Sequence, residues 1–161
     1  MSIIDTLITD RTAADTAALE ALYAKARAGT ITDEEWAVLN DPTHKGAYNY
    51  TDLNRVNAAM DYLDRRLRGY GYVTGYQSIN ILWTQESIPN SAVMGQYLEN
   101  VGRMRNAIAM LPTTPALPGD MEGLSVEEAN AIEFILLDVN TLLNNMVAAW
   151  YYSGDLYSGE V

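Results

Sequence analysis

Apolar residues recur at alternating three- and four-residue steps in three stretches of the chain. The runs are Leu53, Val56, Met60, Leu63, Leu67; then Met94, Tyr97, Val101, Met104, Ile108, Leu111; then Ala129, Ile132, Leu136, Val139, Leu143, Met146, Trp150. Such steps keep side chains on one side of an α-helix, so each run is a stripe that must be buried against another helix. The pattern predicts a mainly α fold: a helical bundle of three long helices, a shorter N-terminal helical region, and short extended N- and C-terminal segments.

Start and stop signals divide the chain into residues 1–45, an extended lead-in and short helices; 46–150, the helical core; and 151–161, a Tyr/Gly tail. Ile3, Ile4, Leu7 and Ile8 among Thr and Asp read as an extended or β-tending start. Thr12 with Asp15 caps a helix running to about Arg27, with Leu19, Leu22 and Ala26 inward and Gly29 as its stop. Thr32, followed by Asp33, Glu34 and Glu35, opens a short helix anchored by Trp36 and Leu39 and ended by Asn40-Asp41-Pro42. Thr51 caps the first striped helix, which ends near Gly69 and Gly71. Between Tyr70 and Pro89 the helical period is lost, which predicts a long structured loop or a short hairpin.

Asn90 or Ser91 opens the second striped helix and Pro112 closes it. The Pro112–Gly119 stretch, with three prolines, is a stiff extended spacer. Ser125 and Glu128 form a capping box for the last helix, expected to run from Val126 to about Tyr151. Laying Asn54 on Asn130 aligns Val56 with Ile132 and Met60 with Leu136. Each Asn then stands near the start of a stripe, where its amide can satisfy a neighbouring backbone group. The tail holds a tandem pentapeptide, Tyr152-Ser-Gly-Asp-Leu156 and Tyr157-Ser-Gly-Glu-Val161. Gly154 and Gly159 argue against helix there, and the bulky Tyr152, Leu156, Tyr157 and Val161 are expected to dock on a partner.

At 161 residues the chain is one domain's worth, and its 48% hydrophobic content suits a folded globule. Ten basic against 21 acidic residues leave a net charge of −11, which argues against a phosphate-bound nucleic-acid partner. Arg65, Arg66 and Arg68 cluster, but Asp61 and Asp64 stand four residues before Arg65 and Arg68, the spacing of helix ion pairs on a solvated face. The chain has no cysteine, hence no disulfide framework or thiolate metal site. No uninterrupted apolar run approaches the ~20 residues of a membrane span, and no signal-peptide pattern opens the sequence. Neither membrane insertion nor export is expected.

Candidate chemistry is sparse. His44, the lone histidine, could build neither a zinc site nor a Ser–His–Asp arrangement without partners that the surrounding loop does not offer. Most carboxylates, among them Asp33, Glu34, Glu35, Asp52, Glu127 and Glu128, fall in first helical turns, where the helix dipole favours them. Glycine-rich phosphate loops and calcium loops are missing. No catalytic residue, metal or cofactor is expected. Eleven tyrosines stand against one phenylalanine, six of them between Tyr48 and Tyr76, as suits rings whose hydroxyls stay wet at an interface or a core rim. Tyr72, Tyr76 and Trp83 could form a platform for a sugar ring, or simply pack the loop onto the helices.

Several segments taken in order resemble a family. Gly46-Ala47-Tyr48-Asn49, Thr51 through Val56 and Tyr62-Leu63 come first. Trp83-Thr84, Ile88-Pro89, Met94, Tyr97-Leu98 and Asn100-Val101 follow. Glu128 through Glu133, leading into Ile135 to Val139, complete the set. Over about residues 46–150 the chain resembles small tail-associated proteins and tail-fibre segments of phages and prophages of Gram-positive gut bacteria. The resemblance implies a non-enzymatic virion structural part near the baseplate or fibre attachment, made in the host cytoplasm and partnered by other phage tail proteins, with no catalytic residues to carry over. A homo-oligomer such as a trimer fits the long stripes as well. Two alternatives stand beside it: a module binding host-surface glycan, and a prophage regulator or assembly factor absent from particles.

Overall fold

The computed structural model describes residues 2–157, with side chains through Trp150. Among them all regular structure is helical, so the chain is mainly α. Five α-helices run Ala13–Ala28 (α1), Asp33–Leu39 (α2), Tyr50–Gly69 (α3), Ser91–Asn106 (α4) and Val126–Tyr157 (α5). The N-terminal lead-in is not simply extended. Ser2 and Asp5 form a capping box that winds Ile3–Thr6 into a 3-10 turn, and the chain is extended only after it. This turn belongs with the later helices rather than with residues 12–45, because Ile4 is buried among residues of α3 and α5.

The three stripes bury over most of their length, while Leu111 and Trp150 at their ends are 45% and 49% exposed. Val56, Met60, Leu63 and Leu67 of α3, Tyr97, Val101 and Met104 of α4, and Ile132, Leu136, Val139 and Leu143 of α5 have no exposed surface. Together they make one core, joined by Ile4, Tyr76, Ile79 and Trp83. Burying a side chain of this size contributes about 1.5–3 kcal/mol, so the stripes dominate the stability of the fold. None of the core residues comes from α1 or α2. Those two helices pack on one another and form an arm, seated through Leu19, which is 6% exposed.

Element ends show where local signals mislead. Thr12, Thr32 and Ser125 cap their helices through capping boxes with Asp15, Glu35 and Glu128, and Gly29 ends α1 in the left-handed conformation at φ 69°. Thr51 is not the cap of α3. Asn49 is: its side chain accepts the Thr51 N–H at 2.8 Å, and Asp52 returns a bond to the Asn49 N–H. A helix start needs an acceptor two or three residues ahead of a free N–H, and Asn49 satisfies that one turn position earlier. Helix α4 ends at Asn106, well short of Pro112; Ile108 and Met110 then pack back on the core from irregular chain. Trp36 does not anchor α2, being 42% exposed, and Leu39 is only half-buried.

The stretch 72–90 holds neither helix nor strand. Asparagines on the helices bind it instead. Asn54 of α3 holds Trp83 at both backbone groups, Nδ2 to the carbonyl at 2.8 Å and Oδ1 from the N–H at 2.9 Å. Asn100 of α4 does the same to Gln77 at 2.7 and 3.1 Å. Asn130 of α5 grips Arg11 at 2.9 and 3.0 Å. An amide presents a donor and an acceptor side by side, so it pairs with an extended residue as a neighbouring strand would. The two asparagines aligned in the sequence, Asn54 and Asn130, thus do the same work on two different segments.

The Pro-rich stretch opens with a turn, closed by the Thr114 N–H to the Leu111 carbonyl at 3.0 Å, and it is not a free spacer. Thr114 is buried and donates to Asp138 of α5 at 2.6 Å, Arg105 of α4 donates to the Pro115 carbonyl, and Leu117 packs toward Gly102. Helix α5 passes Gly154 and reaches Tyr157, past the expected stop. A single glycine costs about 1 kcal/mol in a helix interior, too little to end one. The side chains of Tyr152, Leu156 and Tyr157, and the whole of Val161, lie outside the described residues. Within Val126–Trp150, by length and composition alone, a stretch of mean hydropathy 1.3 is apolar enough to cross a membrane, and a third of it is buried inside the protein.

Candidate functional site

Where the lead-in, α3 and α5 meet, the protein buries four charges. Glu133, with no exposed surface, accepts at Oε1 from Arg11 at 2.6 Å and Arg55 at 2.7 Å. Its Oε2 accepts from Arg55 Nε at 3.0 Å and from the Ile8 backbone N–H at 2.7 Å. Asp52 takes Arg11 Nη2 at 2.8 Å, takes Arg55, and keeps its second oxygen for the Asn49 N–H. Arg11 Nη1 returns a bond to the Ile8 carbonyl at 2.8 Å. Two guanidiniums and two carboxylates cancel, and almost every lone pair is used, the condition under which a buried ion cluster is tolerated. It ties the chain's first dozen residues to helices far away in sequence.

Above the cluster stands a tyrosine pair. The Arg11 guanidinium lies 5.3 Å from the Tyr48 ring centre, and the Tyr48 hydroxyl meets that of Tyr97 at 2.7 Å. Burial raises both phenols above the ordinary value, with the Glu133 charge adding to the effect at Tyr48 and the Tyr48 hydroxyl to that at Tyr97. Burial also raises Tyr76, helped by Asp61, which accepts its hydroxyl at 2.6 Å.

Tyr48 borders two clefts. One, of about 320 Å³, lies between the arm and the core, with Tyr23 from α1, Asn40 and His44 from the α2–α3 link, Tyr50 from α3, and Trp83 and Gln85 from the extended stretch. The other, of about 850 Å³, runs between α4 and residues 117–124, over Met94, Leu98, Leu117 and Met121. The first depends on how closely the link approaches α1. A Cβ on Gly46 would sit 2.9 Å from Leu19 Cβ and from His44 Cε1, and closer still to the Asp15 carbonyl oxygen, so only glycine seats the arm.

The sequence-derived residues are dispersed. Trp83 and Tyr76 are turned inward, 4% and 9% exposed, and Tyr72 donates its hydroxyl to Met146 Sδ at 2.9 Å. Trp83 faces the smaller cleft without either tyrosine, so the three form no surface platform. His44 is in the expected link, its Nδ1 accepting the Gly46 N–H at 2.9 Å. Arg68 pairs with Asp64 at 2.9 Å, whereas Asp61 serves Tyr76, and Arg66 reaches Asn140 and Asn144 on α5. Among the described residues no group of three or more His, Asp or Glu is placed to share a metal ion. The ion cluster has a sequence signal: Glu133 follows Ile132 and lies four residues after Ala129, inside the buried arc of α5.

Five carboxyls between residues 10 and 41 are held below their ordinary values. Lys45 holds the Asp10 carboxyl below its ordinary 3.8, Thr12 does so for Asp15 and Thr43 for Asp41. Backbone N–H groups at its helix start hold Glu34, and Lys25 holds Glu35, below the ordinary 4.5. A carboxyl depressed on folding stabilises above its unfolded value and loses that contribution as pH falls through its folded value. Acidification from 4.5 downward is therefore expected to weaken the contacts that these carboxyls make within residues 10–45. Amide exchange measured across that range checks it; equal loss of protection in arm and core would show that these contacts do not set arm stability.

No protein-family model, curated protein or solved structure matches the chain.

Proposed function

We propose that the chain is a non-enzymatic structural protein of a phage particle, a tail-tip, baseplate or fibre-attachment component. In this reading α3, α4 and α5 are a three-helix bundle, α1 and α2 a side arm, and the far end of α5 the attachment point. The observation that carries it is a mismatch of length. At 32 residues α5 is about 48 Å long, against about 30 Å for the 20 residues of α3 and about 24 Å for the 16 of α4. Trp150 meets Tyr70 at the end of α3, ring centres 5.8 Å apart, and α5 continues for seven residues more. Val73, Leu82 and Ile88 add large apolar side chains at least 80% exposed, as assembling surfaces carry. Neighbours are other tail proteins or further copies of this chain, a trimer among them, docking on Tyr152, Leu156, Tyr157 and Val161.

The test is deletion of residues 152–161 in the source phage. The expected outcome is unchanged melting of the purified protein and its loss from particles, read by quantitative mass spectrometry against the other tail proteins. Full-length protein missing from intact particles defeats the virion reading. Normal incorporation of the truncated form defeats the assignment of the attachment point alone.

A further inference from the structure

We propose that the 320 Å³ cleft between arm and core binds one neutral sugar ring, an activity that goes beyond assembly and does not rest on it. The cleft is at the small end of the ~300–1,000 Å³ range of small-ligand sites and lies between two separately packed parts, where such sites concentrate. Its walls supply what a pyranose recognises. Tyr23 on α1, 47% exposed, and Tyr50 at the start of α3 bring aromatic rings from two elements, against which the C–H face of a sugar packs.

The polar groups there are unspent. Asn40 and Gln85 make no side-chain hydrogen bond among the described residues, and each amide offers a donor and an acceptor, the pairing that vicinal hydroxyls need. The Trp83 indole N–H is buried and has no acceptor among the described residues. Because His44 Nδ1 accepts from Gly46, the neutral imidazole carries its proton on Nε2, a further donor at the cleft. Charge narrows the class. Among the described residues no lysine or arginine lines the cleft, so a phosphate or carboxylate would meet no counter-charge there, and the lining carboxylate Asp41 is engaged by Thr43. Aromatic faces, free amides and no cation select a neutral polyhydroxylated ring over an anion or an aliphatic chain.

The experiment is an NMR titration of the ¹⁵N-labelled full chain with D-glucose, D-galactose, N-acetyl-D-glucosamine and L-rhamnose in turn, and with inorganic phosphate. At least one sugar is expected to shift the Trp83 indole and Gln85 amide resonances saturably, with millimolar affinity as suits a single ring, while the Trp36 indole stays put. Trp83→Phe assigns the indole peak; Trp36→Phe and Trp150→Phe assign it by elimination if that variant fails to fold. Gln85→Ala and Tyr23→Ala, both at exposed positions, are expected to weaken binding roughly tenfold each with melting unchanged. No saturable shift with any of the four sugars overturns the proposal. So does a stronger response to phosphate, or binding indifferent to both variants.

Discussion

Glu133→Ala is expected to destabilise the protein by about 3–5 kcal/mol, the cost of stranding buried charge that has lost its partner. The carboxylate serves Arg11 and Arg55 at once and also holds the Ile8 N–H. Its removal leaves two guanidiniums facing a single Asp52, in a place where the Arg11 and Asp52 side chains are 3% and 5% exposed. For a chain of this size each kcal/mol shifts melting by about 2–4 °C, so a fall of about 10 °C is expected. Glu133→Gln keeps the shape and part of the hydrogen bonding and should lose less. Urea unfolding of both variants is the check. A loss under about 1 kcal/mol for Glu133→Ala would mean that the arginines find water and that the cluster is no buried unit.

Gly46→Ala is the second large effect, about 1–3 kcal/mol as for other overpacked sites. The added methyl cannot be absorbed by a side-chain rotation, because its nearest neighbour is the Asp15 backbone oxygen of α1. The arm must back away, and Leu19, its buried residue, is exposed with it. Since no core residue belongs to α1 or α2, the damage is expected to stay local. Amide exchange should rise across residues 13–39 while α3, α4 and α5 keep their protection. Uniform loss of protection would show arm and core to be one cooperative unit.

The stripes of α3 and α5 were legible because a buried helix face leaves a period that local composition carries by itself. So were the helix starts at Thr12, Thr32 and Ser125, since the residues that mark each lie within four residues of one another. The stripe of α4 was legible too, but it does not fix the helix end: Ile108 packs on the core from irregular chain as well as it could from a helix turn. The ring platform failed for a related reason. Aromatic clustering along the chain says that rings will be buried somewhere, and only the path of residues 72–90 decides that Trp83 joins one cleft while Tyr76 turns to Asp61.

What the amino-acid sequence determined by itself is the helical class, most helix starts and the inner face of each long helix, all set by side chains within a turn or two of one another. The tertiary structure alone decided the partners across long separations: Arg11 with Asp52 and Glu133, Asn100 with Gln77, Gly46 with Asp15. Charges and amides are ambiguous when read along a chain, because each is equally content in water. Their partners are chosen only once helix packing has removed the water and left those few groups to satisfy one another.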